Sequence, residues 1–230
     1  MKKMKIVVIS LGGSIIVPGE IQIKFLKAFK EFILRFLKKD YKFIVVTGGG
    51  SVARNYINAA SKFSKIPDED KDWLGIHATR INAHLLRTIF KKEAYPVVLD
   101  NPLKKIDGKQ YKLFIASGWR PGWSTDYCAV LIADRFKADK VINASNIDYV
   151  YDKDISKYKD ANPIKEITWN KYRKLIGTKW KPGMKSPIDP IAAKMASKLK
   201  MTMVVVKGTD LKNLENALLD KKFTGTVIHP

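Results

Sequence analysis

An apolar strand pattern, Phe43 to Val46, runs into Thr47-Gly48-Gly49-Gly50 and then into a helical pattern that carries Arg54 one turn in. No other stretch limits the fold as strongly. Glycines let the backbone turn tightly and bring its N–H groups near an anion, and the start of the following helix adds roughly half a positive charge. Arg54 can return a fork of charged donors to the same place. The same grammar opens the chain, where Ile6-Val7-Val8-Ile9 leads through Ser10-Leu11-Gly12-Gly13-Ser14 into a long helix. One glycine corner is ordinary turn chemistry, whereas two in one chain favour a pair of phosphate positions. The familiar nucleotide motifs do not account for them. Ser51-Val52-Ala53 follows the triple glycine where G-x-x-x-x-G-K-[ST] needs a lysine, and no G-x-G-x-x-G opens a helix.

The remaining chain alternates strand and helix patterns. Phe25, Ala28, Phe29, Phe32, Ile33, Phe36 and Leu37 recur at helical spacing, with Lys24, Lys27, Lys30 and Lys38 on the other face. Asp70 to Phe90 reads as one or two helices and Tyr95 to Leu99 as a strand. Asn101 to Lys109 is a polar excursion. Strand Leu113 to Ala116 leads into a third loop, Ser117 to Asp126, where Ser124 or Thr125 can cap a helix reaching Phe136. Lys140 to Asn143, Met203 to Val206 and Thr226 to Ile228 read as strands, and Val150-Tyr151 lies beyond a turn at Asn146 to Asp148. Helices are expected near Asn170 to Ile176, Pro190 to Leu199 and Leu211 to Leu219, with an irregular charged stretch from Asp152 to Pro163 and a loop from Lys181 to Pro187. This alternation predicts an α/β fold, a three-layer αβα sandwich on a mainly parallel central sheet, with ligands at the carboxyl ends of the strands. All three loops would share that edge, within one domain spanning residues 1–230.

Composition narrows the function classes. The 230 residues with 46% hydrophobic content can bury a sizeable core. The single cysteine, Cys128, cannot form an internal disulfide, so a reducing, cytoplasmic location is the default, and its apolar helical setting makes it a packing residue. The apolar run after Met1-Lys2-Lys3-Met4-Lys5 ends too soon for a signal peptide, and no stretch reaches the ~18 apolar residues of a membrane span. The net charge of +21 comes from lysines spread along the whole chain. They make no continuous basic arm, so nucleic-acid binding is expected to be at most weak and non-specific. His77, His84 and His229 are too scattered for a metal cluster.

The order of motifs resembles the amino-acid kinase family, and within it the archaeal uridylate (UMP) kinase branch. The pieces are Leu11-Gly12-Gly13-Ser14 with Val17-Pro18, then Gly48-Gly49-Gly50 with Ala53-Arg54 and Tyr56-Ile57, followed by Asp72-Trp73-Leu74-Gly75-Ile76 with Thr79-Arg80 and Asn82-Ala83, and by Tyr95-Pro96-Val97-Val98. Pro121-Gly122 with Thr125-Asp126, Asn146-Ile147-Asp148 with Val150-Tyr151, and Ile188-Asp189-Pro190 with Ala192-Ala193-Lys194 complete the set. The resemblance implies a kinase that moves the γ-phosphoryl of ATP, with Mg2+, onto UMP. Arg54, Gly12 and Gly13 would act on the transferring group, and Gly13, Ser14, Gly50 and Arg54 would hold ATP phosphates. Ser145, Tyr151 and Asp154 would surround the nucleoside of ATP. Gly49, Asp72 and the loop Trp119, Arg120, Pro121, Gly122, Trp123, Ser124 and Thr125 would hold UMP. It further implies an acceptor lobe (about residues 1–135), an ATP lobe (about 136–230) and a homohexamer built from dimers.

This chain departs from the family pattern at several positions. Ser10 stands where many members carry a lysine, although the archaeal branch also lacks it. Trp119-Arg120 and Trp123-Ser124 replace the usual Thr-His and His-Thr, Tyr149 replaces a glycine, and Lys185 lies in a segment usually rich in small residues. Three readings stay open: a UMP kinase, a relative using another small phosphate or carboxylate acceptor, and a basic nucleotide-binding module without turnover.

Overall fold

The computed structural model describes residues 4–179 and 186–230. The chain runs β1 (Lys5–Leu11), α1 (Gly13–Ile16), α2 (Ile23–Leu37), β2 (Tyr41–Thr47), α3 (Gly50–Ala60), α4 (Asp68–Ile89), β3 (Leu113–Ala116), α5 (Thr125–Phe136), β4 (Lys140–Ser145), β5 (Val150–Tyr151), β6 (Pro163–Ile164), β7 (Glu166–Thr168), α6 (Trp169–Ile176), α7 (Pro190–Lys198), β8 (Met203–Lys207), α8 (Leu211–Leu218) and β9 (Thr226–His229). Seven strands make one sheet in the order β3-β2-β1-β4-β8-β9-β7, and β5 pairs with β6 in a separate ribbon. Every pairing in the main sheet is parallel except β8 with β9.

Helices cover both faces, which explains why β2 is buried at all seven positions instead of alternating. One core lies between the sheet and α2, α4 and α8, the other between the sheet and α5, α6 and α7. On α2 the inward stripe is Leu26, Phe29, Phe32, Ile33 and Phe36, each phenylalanine contributing roughly 1.5–3 kcal/mol of burial. Ala28, expected on that stripe, is exposed, and Leu26 takes its place. Local capping sets the helix starts: Ser124 Oγ accepts from Tyr127 N at 3.0 Å, and Asp189 Oδ1 accepts from Ile191 N at 2.8 Å ahead of Pro190.

The strand expected at Tyr95 to Leu99 does not form. Isolated bridges of Ala94 to Leu113 and Leu99 to Ala116 join it to β3, and between them the chain bends at Pro96 and Val97. Asp70 to Phe90 is a single helix that begins at Asp68. Residues 181–185 of the expected loop, Lys185 among them, lie outside the described residues.

Sequence order reverses between β1 and β4, since β1 is followed by β2 on one side and meets β4 on the other. In open α/β sheets ligands bind outside the carboxyl ends of the strands at such a reversal. The first glycine loop leaves β1 at that point, and the loops after β2 and β3 open on the same edge, as expected.

Candidate active site

The first two glycine loops interlock. A Cβ added to Gly13 would lie 2.0 Å from Gly50 N and 2.6 Å from Gly48 C, and one on Gly48 would lie 2.5 Å from Gly13 N. Gly50 adds a left-handed φ of +64°, so only glycine allows this approach of backbone to backbone. Gly12 N donates to Ala144 O at 2.9 Å and Gly48 N to Leu11 O at 2.9 Å, which ties both loops to the sheet. Asn82 Nδ2, from α4, donates to Gly48 O at 2.8 Å and Gly49 O at 3.2 Å. Those bonds occupy loop carbonyls. Among the described residues no protein acceptor takes the N–H of Gly13, Ser14, Gly49 or Gly50. These are first-turn and capping donors of α1 and α3, which is what an anion needs.

Arg54 lies above them. Its guanidinium is exposed, makes only long contacts to Ser14 Oγ (3.5 Å) and Pro18 O (3.4 Å), and has no carboxylate partner among the described residues. Arg54, Gly13, Ser14, Gly49 and Gly50 thus converge.

The loop after β3 is built differently. Gly118 N donates to Thr79 Oγ1 at 2.8 Å and Arg80 Nη2 to Trp119 O at 3.3 Å. Asp72 is a full turn inside α4, which rules out a capping role, and its Oδ2 accepts from Gly122 N at 2.7 Å. Burial raises the Asp72 pKa above the usual carboxylate range and the Asp68 charge adds to this, while the Gly122 bond opposes it. The indoles of Trp119 and Trp123 meet edge to face at 4.6 Å, and Trp123 meets Tyr127 at 4.4 Å. The Arg120 guanidinium lies 4.5 and 4.3 Å from the two indole centroids, a doubled cation–π contact. The two tryptophans therefore pack on each other and on Arg120.

Ser124 departs from expectation. Its hydroxyl donates to Asp189 Oδ2 while capping α5, so it has no proton left for a ligand. Behind it is a buried polar cluster that motif reasoning left without a role. Ser10 Oγ donates to Asp126 Oδ1 at 2.8 Å, as does Asn143 Nδ2 at 2.9 Å, and Asn143 also reaches Pro187 O at 3.0 Å. Burial, then the nearby Asp189 charge, pushes Asp126 up to about 7 against the pull of Ser10 and Asn143. The cluster joins β1, β4, α5 and α7 directly beneath the loops. Its sequence signal is Thr125-Asp126 and Ile188-Asp189-Pro190, pieces of the family pattern that carry no local sign of a shared burial. Arg80 was missed as well: its Nε is buried without a partner beside Trp119.

On the far side of the β1/β4 reversal, Ser145 ends β4 with its Oγ in a local turn to Ile147 N at 3.3 Å. Tyr151 stands on β5 with its ring edge to face with Tyr149 at 6.3 Å, and burial followed by the Asp148 charge raises its pKa. Asp154 lies farther out on an exposed turn, where its Oδ1 accepts from Ser156 N at 2.9 Å. Cys128 is buried, with its thiol pushed up to about 12 by that burial, which fits packing and not reactivity.

A doubly covered α/β sheet with paired glycine loops of unbonded amides at a strand-order reversal has the build of a phosphate-handling protein, and a model of the amino acid kinase family matches residues 5–207. The chain belongs to that family. Among its relatives, the uridylate kinase of Thermococcus sibiricus is 34% identical over 97% of this chain and 99% of its own length, and that of Thermococcus onnurineus is 36% identical over the same shares. The crystal structure of uridylate kinase from Archaeoglobus fulgidus superposes with a TM-score of 0.80 at 32% identity, covering 98% of this chain and all of that one. UMP kinase from Ureaplasma parvum, at 20% identity and a TM-score of 0.79, shares the fold.

Proposed function

We propose that this chain is a nucleoside monophosphate kinase that transfers the γ-phosphoryl of ATP to UMP, giving UDP and ADP. The observation that carries this is the set of free amides at Gly13, Ser14, Gly49 and Gly50 beneath Arg54, which has no carboxylate partner among the described residues. An oxygen of the UMP phosphate forms the new bond to the γ-phosphorus as the bond to the ADP oxygen breaks. No covalent intermediate is needed, so the protein's task is positioning and charge neutralisation. Gly12 and Gly13 bring the first loop against the transferring group, and Arg54 follows its charge. Gly50 and Ser14 hold ATP phosphates, and Ser145, Tyr151 and Asp154 border the ATP nucleoside. Gly49, the free oxygen of Asp72 and the backbone from Trp119 to Thr125 hold UMP. The acceptor lobe then corresponds to about residues 1–135 and the ATP lobe to about 136–230 of one continuous sheet.

The residues present suit Mg2+ carried by ATP. No group of three or more His, Cys, Asp or Glu that could cage a metal occurs among the described residues, and magnesium commonly rides on substrate phosphates. Bound there, it would neutralise charge on those phosphates. We place the enzyme in the cytoplasm, and no helix among the described residues is long and apolar enough to cross a membrane. We also propose a homo-oligomer, a hexamer built from dimers. Tyr56 and Phe63 on and just beyond α3, and Trp73 and Ile81 on the adjoining α4, are all exposed, Phe63 by 91%, and a second copy would cover them.

A coupled assay of ATP consumption with UMP, CMP, dUMP, acetylglutamate and isopentenyl phosphate tests the assignment. UMP should outrun the others. ATP use that is equal with and without every acceptor would leave only the binding-module reading.

A further inference from the structure

The opposite edge of the sheet, at the amino ends of β2 and β3, holds a second concavity of about 230 Å3. Lys42, Lys109 and Arg135 supply its charge, Phe114, Phe136 and Ile106 its apolar wall, and no lining residue is acidic. Lys42 and Thr47 are five steps apart along β2, about 16 Å at ~3.3 Å per residue, so this cavity is separate from the glycine loops.

Lys42 is the telling residue. It is only 8% exposed, which is rare for a lysine without a partner. Its ammonium lies 5.4 Å from the Phe114 ring centroid and makes no hydrogen bond or ion pair among the described residues. The stem is buried and the head lines the cavity, and burial lowers the pKa. The head is open to the cavity, so the cation is held there with no carboxylate beside it, and an external anion would supply the counter-charge. The rim is also fixed in place. Arg135 Nη1 donates to Pro102 O at 2.9 Å, Tyr111 N donates to Gly108 O at 3.0 Å, and a Cβ on Gly108 would come within 2.9 Å of the Tyr95 ring. The carboxyl end of α5 contributes a partial negative charge here, which three full positive charges outweigh.

We propose that this cavity is a second ligand site, for a compact organic phosphate whose anionic group meets Lys42, Lys109 and Arg135 while its ring lies against Phe136 and Ile106. Its size suits one phosphate on one small ring and falls below the ~300–1,000 Å3 of sites for larger ligands.

The test uses phenyl phosphate and inorganic phosphate at constant ionic strength, with wild type, Lys42→Met and Arg54→Met compared by calorimetry and by amide chemical shifts. Arg54→Met weakens anion binding at the glycine loops and isolates the basal cavity. In that variant, phenyl phosphate should bind more tightly than inorganic phosphate and shift the amides of Gly108, Lys109 and Phe136. Lys42→Met should lower binding at those amides by ~10-fold or more, the scale of one charged hydrogen bond, while the ligand-free variant melts no lower than wild type. Unshifted amides in Arg54→Met would overturn the proposal. So would a Lys42→Met protein that melts lower but binds phenyl phosphate undiminished at the same amides, which would make Lys42 a structural cation.

Discussion

The two sides of the candidate active site are made of different material. Around Gly13, Gly48 and Gly50 backbone meets backbone, closer than any side chain would allow, and the groups left over are amides. Across from them the loop from Trp119 to Thr125 hangs on side chains: Thr79 holds Gly118, Asp72 holds Gly122, and two indoles flank Arg120. A phosphate looks the same on every nucleotide, so amides in a fixed cradle suffice to read it. Telling one acceptor from another requires donors and acceptors matched to a particular edge, and side chains provide that variety.

Glycine substitutions should break the comparison most sharply. Gly13→Ala puts a methyl into the Gly50 backbone, and we expect a loss of about 3 kcal/mol or more in denaturant unfolding together with loss of turnover. Gly122→Ala meets no atom within 4 Å and strains only a φ of +80°, so about 1–2 kcal/mol is expected. Equal costs at the two positions would mean that the loops are not interlocked.

Arg54 comes next. Arg54→Ala should lower kcat by ~10²–10³, the scale of removing one preorganised donor from a developing charge, with unfolding unchanged because the guanidinium is exposed. Arg54→Lys should recover only part, since a point charge lacks the fork geometry. Normal turnover in Arg54→Ala would remove Arg54 from the reaction.

Asp126 sharpens the comparison from beneath. Its carboxyl titrates at about 7 in place of 3.8, so the native state keeps a proton that the unfolded chain releases from about pH 4 upward. The native state then binds more protons across about pH 4–7, and its stability falls as pH rises through that window. Asp126→Asn should therefore be more stable than wild type by about 2–4 kcal/mol at pH 8 and little different at pH 4. Denaturant midpoints at the two pH values decide this, and an equal shift at both would move the proton elsewhere.

The smallest effect belongs to the side-chain loop. Replacing Trp119-Arg120 by Thr-His and Trp123-Ser124 by His-Thr should change the UMP/CMP ratio of kcat/KM by ~10-fold, about the cost of one mismatched buried polar group, and leave the KM for ATP unchanged. A changed KM for ATP with an unchanged ratio would put the loop on the donor side.

Strands such as Phe43 to Val46 and Leu113 to Ala116 were legible because an apolar run ending in glycine or serine is local information. Tyr95 to Leu99 carried a similar signal and misled, because a strand there needs pairing along its whole length, and the bend at Pro96 and Val97 leaves only isolated bridges to β3. The glycine corners and Arg54 were legible for the same local reason as the true strands. The fate of the Ser124 hydroxyl was not, since its acceptor Asp189 is 65 residues away. Neither was the burial of Lys42, which in sequence is one polar residue among apolar ones.

By itself, then, the sequence determined the alternating α/β order, the two glycine corners with Arg54 beside them, and the helix start at Ser124 or Thr125, all properties of a few consecutive residues. Only the tertiary structure decided that Gly13 faces Gly50, that Asp126 shares its burial with Asp189, and that Lys42 opens into a cavity away from the glycine loops. Those outcomes depend on which strand lies beside which, and the free energy of a polar group depends on the partners this ordering brings to it.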